Sequence, residues 1–289
     1  VSFLEFINYS LDTMIIGRFL GSASLGVYNR AYYIVALPAQ QISSSLNKVL
    51  FTSLSKMQAE IEKLRDAYSS TILVLGFALF AFAFSVSAAS RAVITVVLGP
   101  GWGEAIPILQ VMALAIPFNL LVSINGIIYD ATAKLNLKIL ITLIRLFVLL
   151  SFYLLLYKYG LLGFALAFLF TEITFYVLYS HFTMRFLSLS VGYMLFLHAI
   201  IIGVGLVEFL VVSGLSSLLS AHGFPVQIIL IAQIMLAMLI LFAFVLVAPP
   251  KILVQVIQRG LKNVDLSQPR IFPGFIKLML RRYERIAEA

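Results

Sequence analysis

The sequence predicts an all-α integral membrane protein, a polytopic bundle of about eight transmembrane helices. Three observations favour this class over a soluble protein. The chain of 289 residues is 62% hydrophobic and 11% charged, whereas a soluble domain has roughly 45–50% apolar and about 25% charged residues. Its mean hydropathy is +1.07. The apolar residues also occur in runs of about 20, the length of helix that crosses a hydrocarbon core of about 30 Å.

The composition and the motifs exclude most enzyme classes. Because the chain has no cysteine, it has no disulfides, thiolate metal sites or cysteine nucleophiles, and its three histidines lie far apart in sequence. It contains no phosphate-binding loop, zinc-protease motif or nucleophile elbow. We therefore expect no enzymatic activity, no cofactor and no metal site. The net charge of +8 indicates membrane topology rather than nucleic acid as a partner.

Eight spans are predicted, separated by glycine, proline or charged residues. The first is the most polar, since Glu5, Asn8 and Asp12 interrupt it, and the last two are the most apolar. The glycines at 17–21 and 99–103 fall at span ends, where turns require positive φ. In order, the predicted spans are 3–20, 25–52, 69–98, 104–130, 136–157, 160–187, 192–219 and 225–248.

The basic residues of the short loops orient these spans. Most lie after the second, fourth, sixth and eighth spans, which predicts that the C-terminus is cytoplasmic. Residues 1–249 would then form the helical bundle and residues 250–289 a basic cytoplasmic tail. Apolar residues at helical spacing in this tail predict an amphipathic helix on anionic lipid, and a solvated tail that only enforces topology is the alternative. These residues are Phe275, Met279, Tyr283 and Ile286.

Polar residues form stripes on the first, second and fourth spans. A charge near the bilayer centre costs roughly 2.5–3.5 kcal/mol, so such groups need partners or a water-filled cavity. The three stripes predict one common hydrophilic cavity, and the alternative is that the amides and hydroxyls only bond neighbouring helices. The candidate substrate-binding residues of the stripes are Asn8, Tyr33, Gln40, Gln41, Ser44 and Asn119. The other members are Glu5, Asp12, Asn29, Asn47, Ser123, Gly126 and Asp130, and Arg30, Gln41 and Lys48 lie beside the second stripe.

Two opposite charges lie at matching depths in the fifth and sixth spans. Arg145 and Glu172 sit near the middle of antiparallel helices that a short turn at 157–160 joins. We expect a buried ion pair that locks this hairpin. The rival interpretation is that Arg145 lines the cavity and faces the substrate.

Part of the chain resembles a known family of membrane transporters. Residues 11–68 resemble the block that opens the second half of polysaccharide transporters, the Wzx-like flippases of the multidrug/oligosaccharidyl-lipid/polysaccharide exporter superfamily. The runs that carry the resemblance are DTMIIGRFLG at 12–21, LGVYNRAY at 25–32 and LPAQQIS at 37–43. Residues 98–117 resemble the periplasmic turn and helix that follow in this family. The remaining spans match only in number and hydropathy.

The resemblance implies a place in the fold and a function. Family members have 12 to 14 spans in two lobes, and these spans resemble the C-terminal lobe plus two extra helices of a 14-span flippase. Such flippases move undecaprenyl-pyrophosphate-linked oligosaccharide across the bacterial inner membrane for surface polysaccharide. By resemblance, Arg18 and Arg30 are candidates for holding the anionic headgroup, and Asp12 is a candidate for cation or proton coupling, with Arg145 and Glu172 as further charges of the site.

Two other functions remain open on the sequence. A multidrug or cation antiporter of the same superfamily would be expected to concentrate acids in its cavity. A non-transporting membrane scaffold of a glycan-assembly complex is the third interpretation. The expected partners are the lipid-linked oligosaccharide, anionic lipid at the tail, and either an amino-terminal lobe or a second copy. A polysaccharide polymerase and glycosyltransferases complete the list of expected partners.

Overall fold

The computed structural model describes residues 2–57, 60–132 and 135–247. Within these ranges the chain is helical apart from short turns and has no β-strand, which confirms the predicted all-α class. The basic tail at 250–289 lies outside the described residues, as does the amphipathic helix predicted there. The helices are α1 (Ser2–Lys56), α2 (Ile61–Val97), α3 (Ala105–Ala131), α4 (Leu135–Leu156), α5 (Gly160–Phe186), α6 (Val191–Ala221) and α7 (Val226–Val247).

Helix α1 consists of two antiparallel arms joined at Gly21. The backbone there has φ 83° and ψ 171°, which is not helical and which glycine adopts without a steric penalty. Tyr28 donates a hydrogen bond to Asp12 over 3.4 Å, although straight helix would separate these residues by about 24 Å. The first arm (2–20) therefore folds back on the second arm (22–56), as the first two predicted spans require.

Helices α4 and α5 form a second hairpin. A single turn of 3-10 helix, Tyr157–Tyr159, follows α4, and Gly160 then reverses the chain with φ 61°. Arg145 and Glu172 are in contact although 27 residues separate them in sequence, a distance of about 40 Å along a straight helix. The predicted turn at 157–160 is therefore present.

Helix α2 begins about two turns before the predicted third span. The prediction starts this span at residue 69, because the preceding residues are rich in charge, whereas α2 begins at Ile61. Leu64 and Tyr68 are fully buried, while Lys63 is exposed. The first turns are thus amphipathic, and a scan for uniformly apolar runs does not detect them.

Five described segments are long and apolar enough to cross a membrane. They are Ile61–Val97, Ala105–Asp130, Asn136–Phe186, Val191–Ala221 and Val226–Ala243. The third of these contains the reversal at Gly160 and therefore both α4 and α5. The arms of α1 do not meet the same criterion, because polar residues dilute them. The protein is a multi-pass membrane protein, and the number of eight spans stays a prediction.

Helix α3 lies at the centre of the bundle and α7 at its edge. Helix α3 packs against α1, α2 and α5, whereas α6 and α7 pack against α2 and each other. Over the most apolar window of each helix, 56% of α3 is buried but only 11% of α7. The last two predicted spans therefore lie on the outside, as predicted, and α1, α3, α4 and α5 enclose the interior.

Candidate functional site

A polar cavity of about 540 Å³ lies among α1, α3, α4 and α5, and we call it the main cavity. Helix α3 contributes its predicted polar stripe, because residues three or four apart share one helix face. Its other walls include basic and aromatic groups from α4 and α5. The principal lining residues are Ser43, Asn119, Ser123, Gly126, Asp130, Lys138, Thr142, Arg145, Phe175 and Tyr179.

A second cavity of about 180 Å³ lies between the arms of α1 and the hairpin of α4 and α5, and we call it the tyrosine cavity. Its polar lining residues are Asp12, Thr13, Tyr28, Asn29, Tyr32, Tyr33, Gln40 and Arg145. A smaller space of about 100 Å³ shares Tyr32 and Gln40 with the tyrosine cavity and Ser43 and Asn119 with the main cavity. The three spaces thus neighbour one another along α1 and α3 and share polar lining residues.

Arg145 borders both larger cavities and forms the predicted ion pair with Glu172. Glu172 is fully buried, and its second carboxylate oxygen accepts a hydrogen bond from Asn119 Nδ2 over 3.2 Å. The Arg145 guanidinium also lies 5.1 Å from the centre of the Phe175 ring, within range of a cation–π interaction. The sequence predicted either an ion pair with Glu172 or a cavity-lining position for Arg145. In the structure, Arg145 both pairs with Glu172 and lines the cavities.

Asp12 is held by hydroxyl groups from two different helices. Tyr28 of the second α1 arm and Tyr153 of α4 both donate hydrogen bonds to its carboxylate. Because one donor belongs to the second arm of α1 and the other to α4, these hydrogen bonds connect the first arm of α1 to both elements. The carboxylate also lines the tyrosine cavity, which places it beside Arg145 in one chamber.

A second ion pair lines the main cavity where α3 ends and α4 begins. Lys138 Nζ lies 2.9 Å from both carboxylate oxygens of Asp130, and both side chains line the cavity. The pair joins the end of α3 to the start of α4 next to the loop that is predicted to be cytoplasmic. The cavity therefore carries one ion pair near this loop and another at the middle of α4.

The structure places Arg18 and Arg30 differently from the predicted headgroup site. Both side chains are exposed on the surface of the described chain, and neither is among the residues that line the three cavities. The helix geometry explains the position of Arg30, since Tyr28 and Tyr32 face the tyrosine cavity and a residue two positions from each points away from it. The basic group that shares a chamber with Asp12 is therefore Arg145.

The remaining candidates divide between the cavities and the outer surface. Tyr33 and Gln40 line the tyrosine cavity and Asn119 the main cavity, but Tyr33 is also 49% exposed. Gln41 and Ser44 are exposed, with Ser44 Oγ donating to the Gln41 carbonyl over 3.0 Å. The side chain of Asn8 lies outside the described residues.

Several residues of this site carry no signal in the sequence. Tyr28, Tyr153 and Phe175 were not singled out, because a tyrosine or phenylalanine in an apolar helix carries no signal of its own. The pairing of Lys138 with Asp130 was also missed, since Lys138 was used only to orient the loop. A search for hydroxyl donors on helices that neighbour Asp12 would have found the two tyrosines.

The fold and the site define a multi-pass helical membrane protein with a charged, polar interior. Such an interior is unusual in lipid and is typical of proteins that pass polar material through the bilayer. Comparison with known proteins agrees with this class. Residues 1–107 match the family described as "Polysaccharide biosynthesis protein".

Three curated proteins are similar to part of the chain. The teichuronic acid biosynthesis protein TuaB of Bacillus subtilis is 32% identical over 128 residues, which is 44% of this chain and 26% of TuaB. The lipopolysaccharide biosynthesis protein WzxC of Escherichia coli is 30% identical over 111 residues, 38% of this chain and 23% of WzxC. The succinoglycan biosynthesis transport protein ExoT of Rhizobium meliloti is 27% identical over 111 residues, 38% of this chain and 22% of ExoT.

These comparisons confirm the resemblance to Wzx-like polysaccharide transport proteins, and they do so over the part of the chain that carries α1, α2 and the turn after them. The matched part spans about a quarter of the length of each of these curated relatives. No solved structure matches the chain.

Proposed function

We propose that this chain is the C-terminal lobe of a flippase that moves lipid-linked oligosaccharide across the bacterial inner membrane for surface polysaccharide. The substrate class is an oligosaccharide on undecaprenyl pyrophosphate. The observation that carries the proposal is the similarity of α1 and α2 to polysaccharide biosynthesis and transport proteins, together with the polar cavities that α1 borders.

The chemistry of the cavities supports a substrate with an anionic headgroup and a hydroxyl-rich glycan. Arginine binds phosphate through charge-assisted, bidentate hydrogen bonds, so Arg145, which borders both larger cavities, suits a pyrophosphate in either one. The amides and hydroxyls of Asn29, Tyr33, Gln40 and Asn119 suit sugar hydroxyls. Arg18 and Arg30 keep their proposed role in holding the headgroup at the surface where a second lobe would meet this one.

The outer face of the second α1 arm supports a partner lobe. This arm buries Tyr28, Ala31 and Val35 against the bundle, whereas Arg30, Gln41 and Ser44 are exposed. An exposed arginine in hydrocarbon is costly, so this face needs water or protein rather than lipid around it. An amino-terminal lobe or a second copy of this chain would supply that environment and complete the transport pathway.

The proposal assigns distinct roles to the charged groups. Arg145 receives the headgroup, Asn119 and Glu172 position its guanidinium, and Asp12 couples transport to a cation or a proton. The polar helices would form one wall of the pathway, and the apolar helices α6 and α7 would face lipid. The tail beyond residue 249 would rest on anionic cytoplasmic lipid.

Surface polysaccharide in a strain without its own flippase tests this function. A chimaera that joins the amino-terminal half of TuaB to residues 1–289 should restore the polysaccharide. The form of this chimaera with both Arg145→Met and Glu172→Met, which leaves no unpaired buried charge, should not restore it. A multidrug antiporter would instead export a cationic dye without restoring polysaccharide. A scaffold would do neither, although it would retain the assembly enzymes at the membrane.

A further inference from the structure

Two basic side chains on one face of α4 line the main cavity. Lys138 and Arg145 are seven residues apart, with Thr142 between them, and all three border the cavity. Seven residues make two helical turns, so the two basic residues are about 10 Å apart along the helix axis. The cavity volume of about 540 Å³ is within the range of ligand sites. One wall of a ligand-sized cavity therefore carries two positive charges in series.

Each of these basic residues is paired with an acid from another helix, and the two pairs differ in burial. We call Arg145 with Glu172 the inner pair and Lys138 with Asp130 the outer pair. The side chains of the inner pair are 9% and 0% exposed, and Asn119 donates a further hydrogen bond to Glu172. In the outer pair, 17% of the Lys138 side chain and 34% of the Asp130 side chain are exposed. The inner pair is fixed by its surroundings, whereas the outer pair is accessible.

The contacts of Asp130 allow the outer pair to separate. Both of its carboxylate oxygens lie 2.9 Å from Lys138 Nζ, and within the described residues its carboxylate has no other hydrogen-bond donor. A partly exposed ion pair contributes little to stability. The pyrophosphate of a lipid-linked sugar has one negative charge on each phosphate, and an ammonium binds phosphate oxygens through charge-assisted hydrogen bonds. Such a group can therefore replace a single carboxylate at Lys138.

The outer pair lies at the end of the cavity that this substrate would reach first. Asp130 is in the last turn of α3 and Lys138 in the first turn of α4, next to the loop that is predicted to be cytoplasmic. Arg145 lies about 10 Å further along α4. A headgroup that enters from the cytoplasm would thus meet Lys138 before Arg145.

We propose that Lys138 is the first binding position for the pyrophosphate headgroup and that Asp130 occupies this position until the substrate displaces it. The inference rests on the proposed function, which supplies the substrate class. It gives the two members of the outer pair opposite effects, because Lys138 strengthens substrate binding and Asp130 weakens it. A purely structural ion pair has no such asymmetry, since the loss of either member removes the same interaction.

Binding of a soluble substrate analogue to the 289-residue chain in phosphatidylcholine nanodiscs tests this asymmetry. The probe is radiolabelled citronellyl pyrophosphate linked to N-acetylglucosamine, and empty nanodiscs give the partition into lipid, which is subtracted. Lys138→Gln should raise the Kd of the probe by about tenfold, because the charged donor is lost. Asp130→Asn should lower this Kd by about tenfold, because the competing carboxylate is lost.

A matched variant and a matched ligand serve as controls. Lys158→Gln removes an exposed lysine beyond the opposite end of α4, and it should bind the probe as the unaltered chain does. Citronellyl N-acetylglucosaminide, which lacks the pyrophosphate, should bind equally to all four proteins. The basic residues beyond position 249 are the same in every variant, so probe that binds to them cannot produce shifts of opposite sign.

Weaker binding in both Lys138→Gln and Asp130→Asn would overturn the proposal, as would an equal Kd in all four proteins or the absence of saturable binding. A misfolded protein does not bind more tightly, so Asp130→Asn decides the matter even if Lys138→Gln is unstable. Restoration of polysaccharide by the chimaera with TuaB separates this result from the proposed function. A chimaera that restores polysaccharide while neither variant shifts the Kd would overturn the role of the outer pair alone.

Discussion

Arg145 of α4 pairs with Glu172 of α5 across the hairpin at Gly160, and the same arginine borders both polar cavities. The pair therefore has two consequences. It fixes α4 against α5 within the membrane, and it holds the guanidinium at the point where the two cavities approach each other. A structural role and the proposed substrate-binding role thus meet at one residue.

Removal of either partner of this pair should be strongly destabilising. Glu172→Met or Arg145→Met leaves the other charge buried without its counter-ion, which costs about 3–5 kcal/mol. The double variant Arg145→Met with Glu172→Met removes both charges and should recover much of the stability. The thermal midpoint of each variant in detergent gives the comparison. Losses that simply add in the double variant would show that the two side chains do not interact in the folded protein.

The hydroxyl of Tyr153 should contribute more to the stability of the protein than the hydroxyl of an exposed tyrosine does. Tyr153→Phe keeps the ring but removes a donor to Asp12, and leaving a buried acceptor unsatisfied costs about 1–3 kcal/mol. Tyr157→Phe is the matched control, because Tyr157 is 50% exposed at the turn between α4 and α5. Thermal midpoints should fall in the first variant and stay constant in the second. Equal midpoints would mean that Asp12 does not depend on the tyrosine for its place in the bundle.

Arg30 should be required for transport but not for folding. Its side chain is exposed, so Arg30→Ala should leave the amount of protein in the membrane unchanged while it abolishes polysaccharide export by the chimaera with TuaB. Arg30→Lys should retain part of the activity, because the charge remains and the bidentate fork is lost. Arg91→Ala, on an exposed position of α2, is the control and should transport normally. Full export by Arg30→Ala would remove this residue from the headgroup site.

Cysteine labelling should place the start of α2 and the end of α6 on opposite sides of the membrane, as predicted. The chain has no cysteine of its own, so Lys63→Cys and His222→Cys each introduce one labelling site, and both positions are exposed. An impermeant thiol reagent added outside intact cells should label position 222, while position 63 should react only after the membrane is opened. Labelling of both from the same side would contradict the predicted orientation.

Much of the fold was predictable because the bilayer imposes a simple rule on sequence. The turns at Gly21 and Gly160 and the outer position of α6 and α7 follow from glycine and apolar length alone. The predicted start of α2 was about two turns too late, because the first turns of this helix are amphipathic and carry too many charges for a hydropathy scan. Matching depth was enough to predict the contact of Arg145 with Glu172.

The site was harder to predict, because helix rotation is not visible in a list of polar residues. Arg30 lies beside the polar stripe of Tyr33 and Gln40 in sequence, yet those two line the tyrosine cavity and Arg30 does not. The partners of Asp12 depend on how the first arm of α1 packs against α4, and this packing joins residues 141 positions apart. Contacts of this kind are set by tertiary structure and leave no local pattern.

Flipping of a fluorescent undecaprenyl-pyrophosphate oligosaccharide in proteoliposomes tests the central claim most directly, with the fraction accessible to an added glycosidase as the readout. Residues 1–289 co-reconstituted with the amino-terminal half of TuaB should expose the inner-leaflet glycan, whereas the form with both Arg145→Met and Glu172→Met, or either part alone, should not. Equal accessibility with and without these proteins, in vesicles where full-length TuaB is active, would contradict the assignment of this chain as a flippase lobe.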